Sequence, residues 1–224
     1  MEEKYPCPKM TPKKWLENFW YYYKWFILLG VVVITFITIA TVQYFTKTEP
    51  DISIFYVGPS TVSDKQCEEM IKTAKERVSD INGDGKIGVD LETLVLLSDF
   101  DLLSKGEEIQ AMEKYQTYSN EILSGDGAIL FLSEYFYNEL AESGALVNLF
   151  EVSSEMPGSA IDFYGLKLSK TKLYREEGFS SLPADTIVCL KFSPAVSGMT
   201  PEEKALRDQN NRELFRQLFV EEFK

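Results

Sequence analysis

The sequence predicts an α/β protein in which an N-terminal transmembrane helix is followed by one three-layer α/β domain with a mostly parallel sheet. Three observations support this prediction. Residues 26–45 form an apolar run without a charge or a proline. Strand-like and helix-like segments alternate from residue 51 onward, which is typical of βαβ units. Charge is divided unevenly, because residues 48–224 hold 17 Lys and Arg against 32 Asp and Glu, a net charge of −15.

Residues 26–45, FILLGVVVITFITIATVQYF, are long enough to cross a bilayer. These 20 residues, at about 1.5 Å each, span the roughly 30 Å of hydrocarbon. The preceding segment, Trp15 to Phe26, carries aromatic rings at helical spacing, as segments at a membrane–water boundary do. We therefore predict that residues 26–45 bind the lipid bilayer, and that residues 1–25 are a tail and an aromatic juxtamembrane segment.

The charges that flank this run predict its orientation. Five lysines precede the run, whereas Lys47 after it is followed closely by two acidic residues. The positive-inside bias then puts residues 1–25 in the cytoplasm and residues 51–224 outside the cell membrane. Residues 46–50 are predicted to be a linker. A cleaved signal peptide is the alternative. Its apolar region would be only about 7–15 residues long and would end at a small-residue site, so the longer run favours an uncleaved signal anchor.

The outer domain is predicted to begin with a strand and a helix. Residues 51–58, DISIFYVG, are apolar and β-branched, and a Gly-Pro pair ends them. A helix is predicted from Ser63 or Asp64 to about Asp80, because its apolar residues recur on a single helical face. The Asn-Gly-Asp-Gly sequence that follows breaks this helix.

A second strand and a second helix are predicted next. Residues 88–97 alternate apolar and polar side chains at first and are then apolar on both faces, as in a strand that is covered on both sides. Ser104-x-x-Glu107 is a capping box, and it predicts a helix to about Ser124. The inward face of this helix is predicted to hold Ile109, Met112, Tyr115, Tyr118 and Ile122.

Three further strands and two further helices complete the prediction. The strands cover residues 128–132, 161–168 and 186–192. A short helix from Glu134 to Ser143 is stopped by the glycine that follows it. Thr200 to Glu203 combine an N-cap, a proline at the first helical position and a glutamate at the third. They therefore predict a last helix that runs to about Glu222.

The composition excludes several kinds of chemistry. The chain has no histidine, so Ser-His-Asp and Cys-His catalysis are excluded and the commonest zinc ligand is missing. The acidity of residues 48–224 argues against nucleic acid and anionic lipid headgroups as partners. Cys7, Cys67 and Cys189 are far apart, so there is no Cys-x-x-Cys motif. Cys67 and Cys189 are predicted either to form a disulfide or to be buried thiols.

Residues 80–87, DINGDGKI, carry the one motif with a defined chemistry. Asp80, Asn82 and Asp84 place side-chain oxygens at positions 1, 3 and 5 of a calcium loop. Gly85 at position 6 permits a sharp turn, and Lys86 offers its backbone carbonyl at position 7. Oxygen ligands from alternate residues suit a hard cation such as calcium.

This motif resembles the opening of EF-hand and dockerin calcium loops, and the resemblance implies calcium binding. It departs from them at position 12, where Leu91 replaces the carboxylate that gives two oxygens. Asp90, one position earlier, would have to close the site. The predicted ligands are therefore Asp80, Asn82, Asp84, Lys86 and Asp90. A tight Asn-Gly and Asp-Gly turn that joins a helix to a strand needs the same residues, so both interpretations stay open.

Two segments lie at the carboxyl ends of predicted strands, where open α/β sheets bind their ligands. Gly58 to Thr61 follow the first strand, and Ser133 to Tyr137 follow the strand at residues 128–132. A helix N-terminus at either place is predicted to hold a small anion or to be an ordinary cap.

The aromatic segment from Asn18 to Trp25 and the YVGP sequence from Tyr56 to Pro59 carry a family resemblance. The layout resembles that of a recurrent, uncharacterised group of single-pass membrane proteins from Gram-positive bacteria. In that group a Lys-rich tail and an aromatic segment precede one span, and a strand ending in YVGP opens the outer domain. The strand–helix order also resembles part of the extracytoplasmic solute-binding fold.

Together these features predict a membrane-anchored extracytoplasmic domain that binds or interacts without enzymatic activity. The expected partner is a protein or a small solute, not a nucleic acid. Two alternatives stay open. One is a cell-surface enzyme, such as a hydrolase that uses carboxylates and a metal. The other is a structural subunit of a membrane assembly.

Overall fold

The computed structural model describes residues 11–46, 50–97, 105–125, 127–176, 178–194 and 200–220. The chain forms two compact units, Met1–Thr48 and Glu49–Lys224. The first unit contains one long helix, α1, Pro12–Thr46. Within α1, Phe19–Val42 is long and apolar enough to cross a membrane, and none of it is buried inside the structure.

The predicted aromatic segment belongs to this same helix. The ring of Phe19 stacks on those of Trp15 and Tyr23, with centroid distances of 5.6 and 5.0 Å. The three residues are four positions apart, so their rings follow one face of α1. The apolar run and the aromatic segment before it therefore form one continuous helix.

The second unit is a mixed α/β domain built on a five-stranded sheet. Its strands are β1 Ile52–Gly58, β2 Val89–Val95, β3 Ile129–Leu132, β4 Gly165–Lys167 and β5 Ile187–Leu190. Its helices are α2 Asp64–Lys75, α3 Lys105–Ser124, α4 Glu134–Ser143 and α5 Pro201–Phe219.

The strand order in the sheet is β2-β1-β3-β5-β4. Strand β1 pairs in parallel with both β2 and β3, whereas β5 pairs antiparallel with β3 and β4. Four of the five strands therefore run in the same direction. The prediction of an α/β domain with a mostly parallel sheet is confirmed.

Residues from the two faces of the sheet belong to separate apolar clusters. One cluster joins β1, β3 and β5 with α2 and α5, and it includes Phe131 and Phe215. The other joins the alternate residues of these strands with α3 and α4, where the rings of Tyr118 and Phe136 are 5.1 Å apart. Every residue of β3 is buried, which is why its four positions are all apolar.

Two predicted element boundaries are wrong. Helix α2 ends at Lys75 rather than near residue 80, because the Ser79 amide donates to Gln217 of α5 at 3.0 Å instead of continuing the helix. Strand β4 is shorter than residues 161–168. The reason is a turn at Asp162, whose Oδ1 accepts the backbone amides of residues 164 and 165 at 2.8 and 2.9 Å.

Helix α3 is less buried than its apolar pattern predicts. Tyr118 is buried as expected, but Ile109 and Met112 are 66% and 68% exposed. Both lie in the first half of the helix. Helix α3 packs beside β2, which is the edge strand, so no further strand in the described structure is present to cover these two side chains. Among the described residues the cysteines Cys67 and Cys189 are free thiols, and Cys189 is buried.

Candidate binding site

The Asp-rich loop, residues 79–88, lies at the amino-terminal ends of the parallel strands. The Gly88 carbonyl accepts the backbone amides of Asp51 and of the first residue of β1. In return, Oδ1 of Asp51 accepts the amides of Ile81 and Asn82, and its Oδ2 accepts that of Gly88, at 2.8–3.1 Å. Partial burial raises the pKa of Asp51, but these amides outweigh the burial, so the pKa is lowered.

Within the loop, the side chains predicted to bind calcium accept hydrogen bonds from the loop backbone. Asp80 accepts the amides of Gly83 and Gly85, at 2.7 and 2.8 Å. Asn82 and Asp84 each accept the amide two residues later, at 2.9 and 2.8 Å. Gly83 and Gly85 have φ of +74° and +80°, a region that glycine enters without strain. The structure therefore brings three of the predicted ligands into one tight turn.

The two remaining predicted ligands contribute differently. The Lys86 amide donates to Asp84, whereas Asp90 belongs to β2 and lines a cavity of about 190 Å³ with Glu92 and Glu121. Burial, together with the carboxylates of Glu121 and Asp90, raises the pKa of Glu92. In the described part of the chain, no group of three or more His, Cys, Asp or Glu is placed to hold a metal ion. Calcium binding by the loop stays a prediction.

Lys191 is a buried cation at this same end of the sheet. It is only 2% exposed, and its Nζ donates to the carbonyls of Glu121, Ile122 and Gly125 at 2.8–3.3 Å. These carbonyls lie in the last turn of α3 and directly after it, at the negative end of the helix dipole. The ammonium therefore fixes the end of α3 against the strand β5 that precedes Lys191.

A groove of about 630 Å³ lies between α5, the 3₁₀ turn Leu149–Glu151 and the Asp-rich loop. Ile81 of the loop and Val152 give it an apolar wall. Helix α5 contributes one polar face, formed by Gln209, Asn210, Arg212, Glu213 and Arg216. We call this feature the α5 groove. Its volume falls within the roughly 300–1,000 Å³ that small-molecule sites occupy.

Two ion pairs balance the charges of the α5 groove. Arg212 Nη2 donates to Glu151 Oε2 at 2.7 Å and so joins α5 to the 3₁₀ turn. Arg216 Nη2 donates to both carboxylate oxygens of Glu213, at 2.6 and 2.8 Å, and this interaction lowers the pKa of Glu213. Partly exposed pairs of this kind stabilise a fold by only about 0–1 kcal/mol, so they open readily.

The α5 groove has two further polar features. Arg212 Nε is buried and has no hydrogen-bond partner among the described residues. Gln217 Nε2 donates to Glu213, and Gln217 Oε1 accepts the amide of Ser79, both at 3.0 Å. One hydrogen-bonded chain therefore connects the α5 groove to the Asp-rich loop.

The two segments predicted at the carboxyl ends of strands follow β1 and β3, which are neighbours in the sheet. Ser133 donates its amide to the Val57 carbonyl at 3.0 Å, because β1 and β3 are neighbours. At the end of β1, the Tyr56 hydroxyl accepts the Ser60 amide at 3.3 Å. A Cβ atom on Gly58 would lie 2.5 Å from this hydroxyl oxygen.

The helix N-termini at this end differ from each other. Ser63 and Gln66 form a capping box, so the amides of these two residues already have acceptors. Ser133 precedes α4 and makes no side-chain capping hydrogen bond in the described structure. A bound anion at either helix stays a prediction.

Sequence reasoning missed the α5 groove and the burial of Lys191. Arg212 and Glu151 are 61 residues apart, and nothing in the local sequence pairs them. The one available signal is the spacing of Gln209, Arg212 and Arg216, which puts three long polar side chains on one helical face. Such a face is ordinarily solvated, so the pattern alone does not indicate a groove.

Comparison with known proteins assigns no family to the chain. No family model matches it, and neither a curated protein nor a solved structure is detectably similar to it. The resemblance to Gram-positive membrane proteins and to solute-binding folds stays a prediction. Function is therefore inferred from the sequence and from the geometry.

Proposed function

We propose that the chain is a single-pass protein of the cell membrane whose α/β domain binds a small solute or a protein partner outside the cytoplasm, without catalysis. The observation that carries this proposal is the division of the chain into an exposed apolar helix and a domain with its own core. Exposure of an apolar helix of this length to water is unfavourable, whereas its insertion into a bilayer buries the apolar side chains and is favourable.

The α5 groove supports the binding part of the proposal. It combines an apolar wall with guanidinium, amide and carboxylate groups that converge on one space. Small-molecule sites share this combination, in which a few polar groups fix the orientation of a ligand. A solute is therefore the favoured partner, and a protein partner is the alternative.

We also propose that the domain has three layers, with α2 and α5 on one face of the sheet and α3 and α4 on the other. The two separate apolar clusters support this arrangement, because each contains one set of alternating strand residues and one pair of helices. Calcium binding by Asp80, Asn82, Asp84, Lys86 and Asp90 is a further proposal. The left-handed glycines Gly83 and Gly85 support it, because they fold three of these side chains into one turn.

Protease digestion of intact cells tests the proposed function. Tags at the two ends of the chain report on each side of the membrane separately. We expect external protease to remove the C-terminal tag and residues 51–224, while the N-terminal tag and α1 stay in the membrane pellet after alkaline washing. Protection of both tags, in cells whose known surface proteins are digested, would contradict the proposal. Release of the intact chain by the alkaline wash would contradict it too.

A further inference from the structure

We infer that the α5 groove binds a small zwitterion, a molecule with a carboxylate and an ammonium group a few bonds apart. This inference rests on the proposed function, because it names the chemical class of the solute that the domain binds. Three properties of the groove lead to it: its charge balance, the half-used guanidinium of Arg212, and the ion pair that joins its two walls.

The charge balance of the α5 groove disfavours ligands with a large net charge. Two guanidiniums and two carboxylates line it, so its own charge is close to zero, whereas residues 48–224 carry a net charge of −15. A free anion would be repelled by the domain as a whole. A free cation would find many carboxylates elsewhere and would gain little at this groove. A neutral molecule with separated charges avoids both problems.

Arg212 has the geometry to receive the carboxylate. A guanidinium can donate two parallel hydrogen bonds to one carboxylate, for example through Nε and Nη2. Here Nη2 donates to Glu151, while Nε is buried without a partner in the described part of the chain. A ligand carboxylate in place of Glu151 would use both nitrogens. The unpartnered Nε is thereby explained as one half of a binding fork.

Glu151 has the chemistry to receive the ammonium. When a ligand carboxylate takes over Arg212, the Glu151 carboxylate loses its cation, and an ammonium on the same ligand restores the pair. Two charges are therefore exchanged for two others, and no charge is left unpaired. Gln209 and Asn210 offer further hydrogen bonds, and the apolar wall of Ile81 and Val152 offers contact to a side chain. The simplest molecules with this pattern are free α-amino acids.

Thermal unfolding of the full chain in detergent micelles tests the inference. Each of the twenty common L-amino acids is added at about 10 mM. A ligand that binds only the native state stabilises it by RT ln(1 + [L]/Kd) and therefore raises the melting temperature. We expect at least one to raise the melting temperature. Its N-acetyl and its carboxamide derivatives, which each lack one charge, should bind at least about tenfold more weakly. Succinate and putrescine, each with charges of one sign, should have no effect.

Variants of α5 connect the effect to the groove. Arg212→Lys keeps the positive charge but removes the fork, so we expect it to weaken binding about tenfold while the chain still folds. Lys204→Ala, a change of the same helix outside the groove, should bind as the wild type does. Equal binding by Arg212→Lys and the wild type would overturn the inference.

The outcomes for the inference and for the proposed function are distinguishable. If only succinate or only putrescine raises the melting temperature, and Arg212→Lys abolishes this, the zwitterion is wrong and solute binding stands. If no compound has an effect, the inference is overturned. The protease experiment then decides separately whether the domain is anchored to the membrane and lies outside the cytoplasm.

Discussion

At the amino-terminal ends of β1, β2 and β3, charged side chains hold the backbone by hydrogen bonds, whereas at the carboxyl-terminal end of β1 an aromatic ring packs against it. Asp51 accepts three amides of the Asp-rich loop, and Lys191 donates to two carbonyls of α3 and to that of Gly125, which follows the helix. At the opposite end, Tyr56 lies against Gly58 and accepts the amide of Ser60. The polar groove is found beside the first of these two ends.

This difference places the proposed site opposite the usual location of sites in open α/β sheets. Ligands of such sheets ordinarily bind beyond the carboxyl ends of the strands, where the strand order reverses. Here β1 and β3 meet at that place, but the Tyr56 ring fills the space next to Gly58. The strand-end rule therefore identifies where a cavity would form, and the side chains decide whether it stays open.

The largest expected effect tests the buried cation at the amino-terminal ends of the strands. Lys191→Met removes the cation from three carbonyls, and we expect it to lower the free energy of unfolding by about 3 kcal/mol. Lys170→Met, which replaces an exposed lysine, should change it by less than about 0.5 kcal/mol. Urea denaturation of the full chain in micelles measures both. Similar midpoints for the two variants would show that the buried ammonium contributes no more than a surface lysine.

The next effect tests the packing of Tyr56 against Gly58 at the carboxyl-terminal end of β1. Gly58→Ala would bring a Cβ to 2.5 Å from the Tyr56 hydroxyl, so the ring must move. We expect a loss of about 2 kcal/mol, the usual cost of overpacking. Gly158→Ala is the matched control, because no atom lies within 4 Å of its added Cβ. The same denaturation experiment compares them. A neutral Gly58→Ala would mean that Tyr56 moves freely and that this end of the sheet is open.

The pH dependence of stability tests the hydrogen bonds that the Asp51 carboxylate accepts from backbone amides. Asp51→Asn keeps only one of the two acceptor oxygens of the aspartate. We expect this variant to lower the free energy of unfolding by about 1.5 kcal/mol at neutral pH. The native pKa of Asp51 is lowered from its ordinary value of 3.8, so the stabilisation is complete above that value. It is lost as the pH falls through the lower native pKa.

The difference between the wild type and Asp51→Asn should therefore shrink below pH 3.8. The control Glu68→Gln, an exposed change on α2, should show a small difference at every pH. Denaturation midpoints between neutral and strongly acidic pH measure this. A difference for Asp51→Asn that is independent of pH would show that its carboxylate charge is not what holds the loop.

The smallest expected effect concerns calcium at the Asp-rich loop. A site that lacks the usual last carboxylate should bind with a dissociation constant on the order of 10⁻⁴–10⁻³ M. Calcium at 1 mM would then stabilise the domain by about 0.4–1.4 kcal/mol. Asp84→Ala should abolish this gain, while Asp185→Ala, an exposed aspartate elsewhere, should keep it. Identical melting of the wild type in calcium and in chelator would leave the loop as a turn only.

Local signals predicted most elements, because their causes are local. Thr200 is the N-cap of α5, as predicted, and forms a capping box with Glu203, while Gly144 ends α4 with φ of +73°. The alternation of strands and helices also predicted the α/β class. Each of these features depends on a few neighbouring residues, so a single sequence contains the information.

The errors and omissions have non-local causes. Ile109 and Met112 form an apolar stripe, but whether a stripe is covered depends on where the sheet ends. Lys191 lies 66 residues or more from the carbonyls it contacts, and Arg212 lies 61 residues from Glu151. Such contacts are set by the packing of distant elements. The sequence therefore predicted the Asp-rich turn but not the groove beside it.

Hydrogen–deuterium exchange of the full chain in micelles tests most directly whether binding occurs at the amino-terminal end of the sheet. The probe is a mixture of the twenty common L-amino acids, compared with buffer alone. We expect slower exchange at residues 149–152 and in the part of α5 that lines the groove, with no change at residues 57–63 and 133–137. Protection at residues 57–63 and 133–137, or at neither end, would contradict the assignment of the binding surface to the α5 groove.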